Sequence, residues 1–153
     1  MSSVQDYVTL EFPSLPENVG FARNATAIYA SRLDFTLDEI DDIRMCVSEA
    51  VSNAVVHAYP GGPGLIRMHL AVEDDKLVVV IEDQGAGIAD VDWAKQPSNT
   101  TAPEEHLGLG LYFISEFMDE FEIETQVGRG TRVRMAKKPS QAKQHEAASS
   151  RLV

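Results

Sequence analysis

Residues 76–87 read KLVVVIEDQGAG, and the rest of the chain arranges itself around them. Leu77 to Ile81 form an apolar run without alternation, the pattern of a strand covered on both faces, so it belongs near the middle of a sheet. Glu82 and Asp83 end the run, and Gln84-Gly85-Ala86-Gly87 turns the chain. Residues 64–73 supply a second strand, joined to the first at Asp74-Asp75. Farther out, residues 7–12 (YVTLEF) alternate as a short strand. Residues 120–127 and 131–137 form a closing pair about the turn Gly128-Arg129-Gly130.

Helical patterns fill the intervals. Ser14-Leu15-Pro16-Glu17 has the spacing of a capping box and predicts a helix over about 16–33. Gly20, Asn24 and Thr26 are poor helix formers within it, so that helix depends on packing or on a partner. Thr36-Leu37-Asp38-Glu39 opens a stronger helix over about 37–58, with Ile40, Ile43, Val47, Ala50 and Ala54 as its core stripe. YPGGPG at 59–64 stops it. A short helix over 88–95, a loop over 96–106 and a helix over 109–118 are expected before the last strands. The order β-α-α-β-β-α-α-β-β implies an α+β, two-layer α/β sandwich. Its sheet is mixed and mostly antiparallel, with helices on one face. Residues 1–138 form one domain, and the polar stretch 139–153 is expected to be a disordered tail.

Composition bounds the function. A chain of 153 residues buries roughly two-thirds of its unfolded surface, enough for a core without disulfides. Cys46 is the single cysteine, and no Cys/His cluster has zinc-site spacing. No apolar run reaches membrane-spanning length and the N-terminus lacks a signal pattern, so a cytoplasmic protein is expected. The first 128 residues carry six basic and 23 acidic groups, 6 − 23 = −17. That surface repels phosphate backbones, excluding direct nucleic-acid binding, and suits a basic protein partner.

Four constellations carry chemistry. Glu49, Asn53 and His57 recur at i, i+4, i+8 along the margin of the second helix's core stripe. A carboxylate, an amide and an imidazole there can hold a hydrated cation and act on a proton. Asp83, ending the apolar strand before Gly85 and Gly87, offers a fixed acceptor beside backbone that a flat ligand can approach, and an adenine amine fits it as donor. His106-Leu107-Gly108-Leu109-Gly110 feeds a helix N-terminus, the usual arrangement for phosphate. Gly128-Arg129-Gly130-Thr131 is a turn with little meaning alone. Taken alone, each is more readily explained by a structural role: a solvated helix edge, a β-bend, a surface loop. The P-loop and Rossmann glycine patterns are absent.

In combination, Glu-x-x-x-Asn on a helix, Asp-x-Gly-x-Gly after a strand, Gly-x-Gly opening a helix and Gly-x-Gly-Thr before the last strand closely resemble the N box and three glycine boxes of the GHKL (Bergerat-fold) ATPases. Val47 to Tyr59, Gly87-Ile88-Ala89-Asp90, Gln96-Pro97 and Thr100-Thr101-Ala102-Pro103-Glu104 resemble the anti-sigma factor serine kinases. The F, or sporulation, type is favoured over the stress-response B type.

The resemblance implies an ATP-dependent, Mg²⁺-requiring protein serine kinase. It would sequester a sigma factor and phosphorylate a serine of an anti-anti-sigma factor. It further implies that Asn53 ligates Mg²⁺ and that His57 belongs to the nucleotide site. Glu49 would be the general base. Asp83, helped by Thr131 through water, would accept from the adenine, with Gly85 and Gly87 against the base. Gly108 and Gly110 would cradle the phosphates of ATP or ADP beneath a lid at 96–107. Arg23 would contact both protein partners, and a homodimer would form through the exposed sheet and the N-terminal strand. His106-Leu107 stands where the F type carries Arg-Ser. A mostly neutral histidine supplies less charge to a γ-phosphate, which bears on transfer rate more than on nucleotide binding. The rival readings are a sigma-binding module with degenerate kinase chemistry and an ordinary histidine-kinase catalytic domain; the latter lacks room for a phosphoacceptor helix pair.

Overall fold

A computed structural model describes residues 4–87 and 107–141. The expected helix at 88–95, the loop at 96–106 with His106, and the stretch beyond 141 lie outside the described residues. The elements are β1 (Val4–Pro13), α1 (Glu17–Ala30), α2 (Leu37–Asn53), a π-helical turn (Ala54–Ala58), β2 (Leu65–Glu73) and β3 (Lys76–Asp83). After these come α3 (Leu107–Phe117), β4 (Glu120–Gln126) and β5 (Gly130–Lys137). The strands form one sheet in the order β1-β2-β3-β5-β4. Every pairing among the described residues is antiparallel, which replaces the expected mixed sheet.

Alternation sorts the strands into two faces. Met68 and Leu70 of β2, Leu77, Val79 and Ile81 of β3, and Val133 and Met135 of β5 join Ala22, Ile43, Val47, Val51 and Ile114 from the helices in one core. All three helices therefore cover a single face. Val78 and Val80, with Ala136, make a small buried cluster on the other face, so β3 is apolar on both sides, as its sequence requires. Much of the rest of that second face is charged. Glu11, Arg67, Glu82, Arg132 and Glu124 sit opposite one another across the five strands, with Arg67 on Glu11 at 2.9 Å and Arg132 on Glu82 at 3.4 Å.

The two capping boxes have different fates. Thr36 caps α2 as its sequence predicts: the Glu39 N–H donates to Thr36 Oγ1 at 3.2 Å, and the Thr36 N–H donates to Glu39 Oε1 at 2.9 Å. Ser14 does not cap α1, which starts after Pro16 without a side-chain cap. The Ser14 hydroxyl instead accepts the Gly64 N–H at 2.9 Å, and its own N–H donates to the Gly64 carbonyl at 2.8 Å. Those two bonds extend the β1–β2 ladder one step past its last pair, Pro13 with Leu65, and that ladder outcompetes the helix for the serine.

Pro139 is buried, and the Ser140 N–H and hydroxyl donate to Glu39 at 3.1 and 3.2 Å, so these two residues pack on the start of α2. Burial alone would raise the Glu39 pKa, but the hydrogen bonds from Thr36 and Ser140 outweigh it and hold the carboxyl below its ordinary value.

Two α-helical sites should respond with opposite sign. Gly20 lies inside α1, and a β-carbon there meets only Arg23 Nη2 at an ordinary 3.5 Å. Gly20→Ala should therefore stabilise the fold by about 0.5–1 kcal/mol. Thr36→Ala should destabilise it by about 1 kcal/mol through loss of the cap. Urea denaturation of both variants checks this; a destabilised Gly20→Ala would mean that the missing β-carbon is needed for packing.

Candidate functional site

One cleft opens between the C-terminal part of α2, the π-turn and the inward face of β3 and β5. Asn53, His57, Asp83, Gly87 and Thr131 line it, over an apolar floor of Ala50, Ala54, Ile81 and Val133. Five of the residues singled out from sequence thus meet in one place, although they come from four separate segments.

Asn53 is the last α-helical residue, and the chain then widens into the π-turn that carries His57. An i→i+5 turn advances each residue by less than the 100° of an α-helix, so the angle between Asn53 and His57 about the helix axis departs from that of ideal periodicity. Both side chains still reach the cleft. The Asn53 Nδ2 is buried with no hydrogen-bond partner among the described residues, an unmet donor of the kind that an oxygen of a bound ligand or an ordered water satisfies. Glu49 lies one turn earlier on α2, half-buried and outside the cleft lining. Its neighbour Cys46 is a buried thiol whose pKa is pushed up to about 12, mainly by burial and further by Asp42, so it remains protonated and unreactive.

Asp83 ends β3 and pairs with Thr131 of β5. The Gly85 N–H donates to its Oδ1 at 2.9 Å. Burial raises its pKa above the ordinary value, against the lowering effect of backbone hydrogen bonds from Gly85 and Thr131. Thr131 is itself fixed by a hydroxyl–hydroxyl bond to Thr125 at 2.9 Å.

The glycines have a purpose that spacing could not reveal. A β-carbon at Gly85 would collide with the Ala58 carbonyl, and one at Gly130 with the Asp83 carbonyl. Gly87 has φ +77° and lies against the Gln126 carbonyl. These glycines let the loop after β3 lodge between the end of the π-turn and the β4–β5 turn, backbone against backbone. The Ala86 N–H then donates to the Ala58 carbonyl at 2.7 Å, and the Gly128 N–H to the Ala86 carbonyl at 2.9 Å. Gly128-Arg129-Gly130, uninformative as sequence, thus anchors the rim of the cleft.

Gly108 and Gly110 fall in the first turn of α3. At the other end of that helix the Lys137 ammonium donates to the Phe117 carbonyl at 2.6 Å, satisfying a C-terminal carbonyl and complementing the helix dipole. Arg23 sits on α1, not in the cleft, with its Nε buried and unpaired and its guanidinium lying back along the helix beside Gly20.

Comparison with known proteins puts a family to this geometry. The model of the histidine kinase-like ATPase domain matches residues 12–137. The chain belongs to the histidine kinase-like ATPase family. Among curated relatives it is 44% identical over 129 residues to the anti-sigma F factor of Caldanaerobacter subterraneus subsp. tengcongensis, covering 84% of this chain and 90% of that protein. It is 39% identical over 136 residues to the anti-sigma F factor of Clostridium acetobutylicum, with coverage of 88% and 95%.

The same fold occurs in the blue-light activated histidine kinase of Erythrobacter litoralis, at a TM-score of 0.58 and 22% identity over 82% of this chain. Its isolated histidine kinase domain gives a TM-score of 0.54 and 21% identity over 84% of this chain. The chain spans 43% and 62% of those two structures. Membership in an ATPase-domain family implies that the chain binds nucleotide.

Tyr59, Ala58 and Gly130 lie within the stretches singled out from sequence, but sequence reasoning gave them no part in framing the site. The aromatic between His57 and the Pro-Gly run was the available signal for the first.

The raised pKa of Asp83 gives nucleotide binding an acid limb. A carboxylate that accepts from a ligand loses that capacity on protonation, and here protonation begins at higher pH than for a free aspartate, whose pKa is 3.8. ADP affinity, followed by calorimetry, should fall as the pH is lowered through that raised range. The limb should be missing in Asp83→Asn, and its persistence there would assign the titration to another group.

Proposed function

We propose that this protein is an ATP-dependent protein serine kinase and an anti-sigma factor, which holds a sigma factor and phosphorylates a serine of an anti-anti-sigma partner. One observation carries the reading: Asn53, whose buried Nδ2 has no hydrogen-bond partner among the described residues, and the half-buried carboxylate Asp83 line the same apolar cleft. The amide suits a phosphate oxygen through its N–H and a metal ion through its oxygen, and the carboxylate suits an adenine amine. The names of the curated relatives supply the sigma-factor half of the proposal, and the F type is favoured on the same ground.

The donor set fits magnesium. Among the described residues no three His, Cys, Asp or Glu side chains cluster to hold a metal ion unaided, and Mg²⁺ in nucleotide sites takes one or two protein oxygens together with phosphates and water. Asn53 would be its protein ligand. When bound, the ion neutralises phosphate charge.

Asp83 accepts from the adenine amine, Thr131 supports it through water, and His57 closes the side of the site. Gly108 and Gly110, at the start of α3, offer backbone N–H groups to phosphate. In the transfer the partner's serine oxygen forms a bond to the γ-phosphorus, the bond from that phosphorus to the β,γ-bridging oxygen breaks, and ADP leaves. Glu49 takes the serine proton. Arg23 contacts the protein partners, a homodimer forms through the charged sheet face and β1, and the protein acts in the cytoplasm.

Incubation with [γ-³²P]ATP, Mg²⁺ and a candidate anti-anti-sigma protein tests the proposal. Label should appear on a partner serine; label on histidine, or none, overturns the kinase reading. Glu49→Gln should slow transfer by about 10²–10⁴-fold while ADP affinity stays within a few-fold, and undiminished transfer would remove Glu49 as base. Arg23→Glu should abolish sigma-factor capture in a pull-down without altering ADP binding. Normal capture would place the interface elsewhere.

A further inference from the structure

The β2–β3 ladder ends at Ile66 opposite Asp83. Its next rung would join Leu65 to Gln84, but a side chain occupies that position. Tyr59, the residue after the π-turn, donates its hydroxyl to the Leu65 carbonyl at 2.5 Å and accepts the Gln84 N–H at 2.8 Å. A phenol is thus inserted into the sheet one residue beyond the carboxylate of the cleft. Its ring packs on Gly64, where a β-carbon would collide with three ring atoms.

The consequence is a change of direction. A direct rung would keep Gln84 in the sheet, whereas a hydroxyl between donor and acceptor spreads the two strands and releases the chain towards the π-turn. Three successive N–H groups are then satisfied by three different acceptors: Gln84 by Tyr59 Oη, Gly85 by Asp83 Oδ1 at 2.9 Å, and Ala86 by the Ala58 carbonyl at 2.7 Å. The second of these bonds sets the orientation of the Asp83 carboxylate, and the other two hold the backbone on either side of it.

We infer that Tyr59, seated on Gly64, is a positioning residue that determines base specificity by fixing the Asp83 acceptor for an exocyclic amine. The inference rests on the nucleotide-binding reading of the cleft. Removal of the hydroxyl allows Leu65 and Gln84 to pair directly, drawing the loop back into the sheet and turning the carboxylate away from the base. Phosphate binding, which depends on other elements, stays as it was.

The experiment compares ADP with purine riboside 5′-diphosphate, which lacks the amine, by calorimetry on the full chain. The wild type should prefer ADP by about tenfold or more, the value of a hydrogen bond to a charged acceptor. In Tyr59→Phe, which keeps the ring, the preference should shrink towards unity through weaker ADP binding, with affinity for the analogue unchanged. Gly64→Ala displaces the ring while leaving the hydroxyl in the chain, and should reproduce the loss of selectivity. Equal weakening of both nucleotides, or a lowered melting temperature with selectivity intact, would make Tyr59 a purely structural residue and overturn the inference. A wild type that binds neither nucleotide overturns the reading beneath it. A wild type that binds both equally removes Asp83 as the amine acceptor, and the role of Tyr59 with it.

Discussion

The site depends on one backbone contact: the Ala58 carbonyl at the end of the π-turn receives the Ala86 N–H at 2.7 Å. Helix C-termini leave carbonyls without partners, and here one of them meets a loop emerging from the central strand. The contact is possible only because Gly85 has no side chain to strike that carbonyl. It also coincides with the place where α2 gives up α-helical winding, between Asn53 and Tyr59. A helix end docked in this way presents its last polar side chains towards the strand end instead of towards water, and that is how Asn53 and Asp83 come to share a cleft.

The same constraint passes along the sheet. Once the loop after β3 is pressed against the helix, β5 must approach it from the other side, and Gly130 provides the clearance at the Asp83 carbonyl. Thr131 then lands opposite Asp83 in register. The β4–β5 turn closes over the loop through the Gly128 N–H. The glycines at 85, 87 and 130 are therefore one packing solution distributed over two turns, and substitution at any of them disturbs the common rim.

Much of this was readable in the chain because it depends on periodicity. The central place of β3, the hairpin about Asp74-Asp75 and the α2 cap at Thr36 follow from alternation, 3.6-residue spacing and turn chemistry, whereas the grouping of Asn53, His57, Asp83 and Thr131 was expected only from the family resemblance. What escaped depends on competition for a group between distant partners. Ser14 has the spacing of a helix cap, yet Gly64, fifty residues away, takes its hydroxyl. The π-turn leaves no mark on helical periodicity because it answers to the tertiary contact at Ala58. Tyr59 reads as a residue beside a turn, and nothing local shows that its hydroxyl replaces a rung of the sheet. Arg23 was legible as a candidate contact, but not its buried Nε or its course beside Gly20.

The apolar floor of the cleft and the raised pKa of Asp83 have a common cause, and they favour discrimination over strength. A carboxylate among Ile81, Val133 and two alanines has lost water that a ligand must replace. A ligand with a donor in the right place restores what burial removed, whereas one without it covers the carboxylate and leaves it only the backbone N–H groups of Gly85 and Thr131 as donors. Sites built on a buried polar group reject analogues lacking its partner far more strongly than apolar pockets reject a missing methylene. The burial that makes ionised Asp83 costly is thus the property that allows the cleft to select a base. That selection requires the carboxylate to be held still, which is why the frame of Ala58, Gly85 and Thr131 matters as much as the acceptor itself.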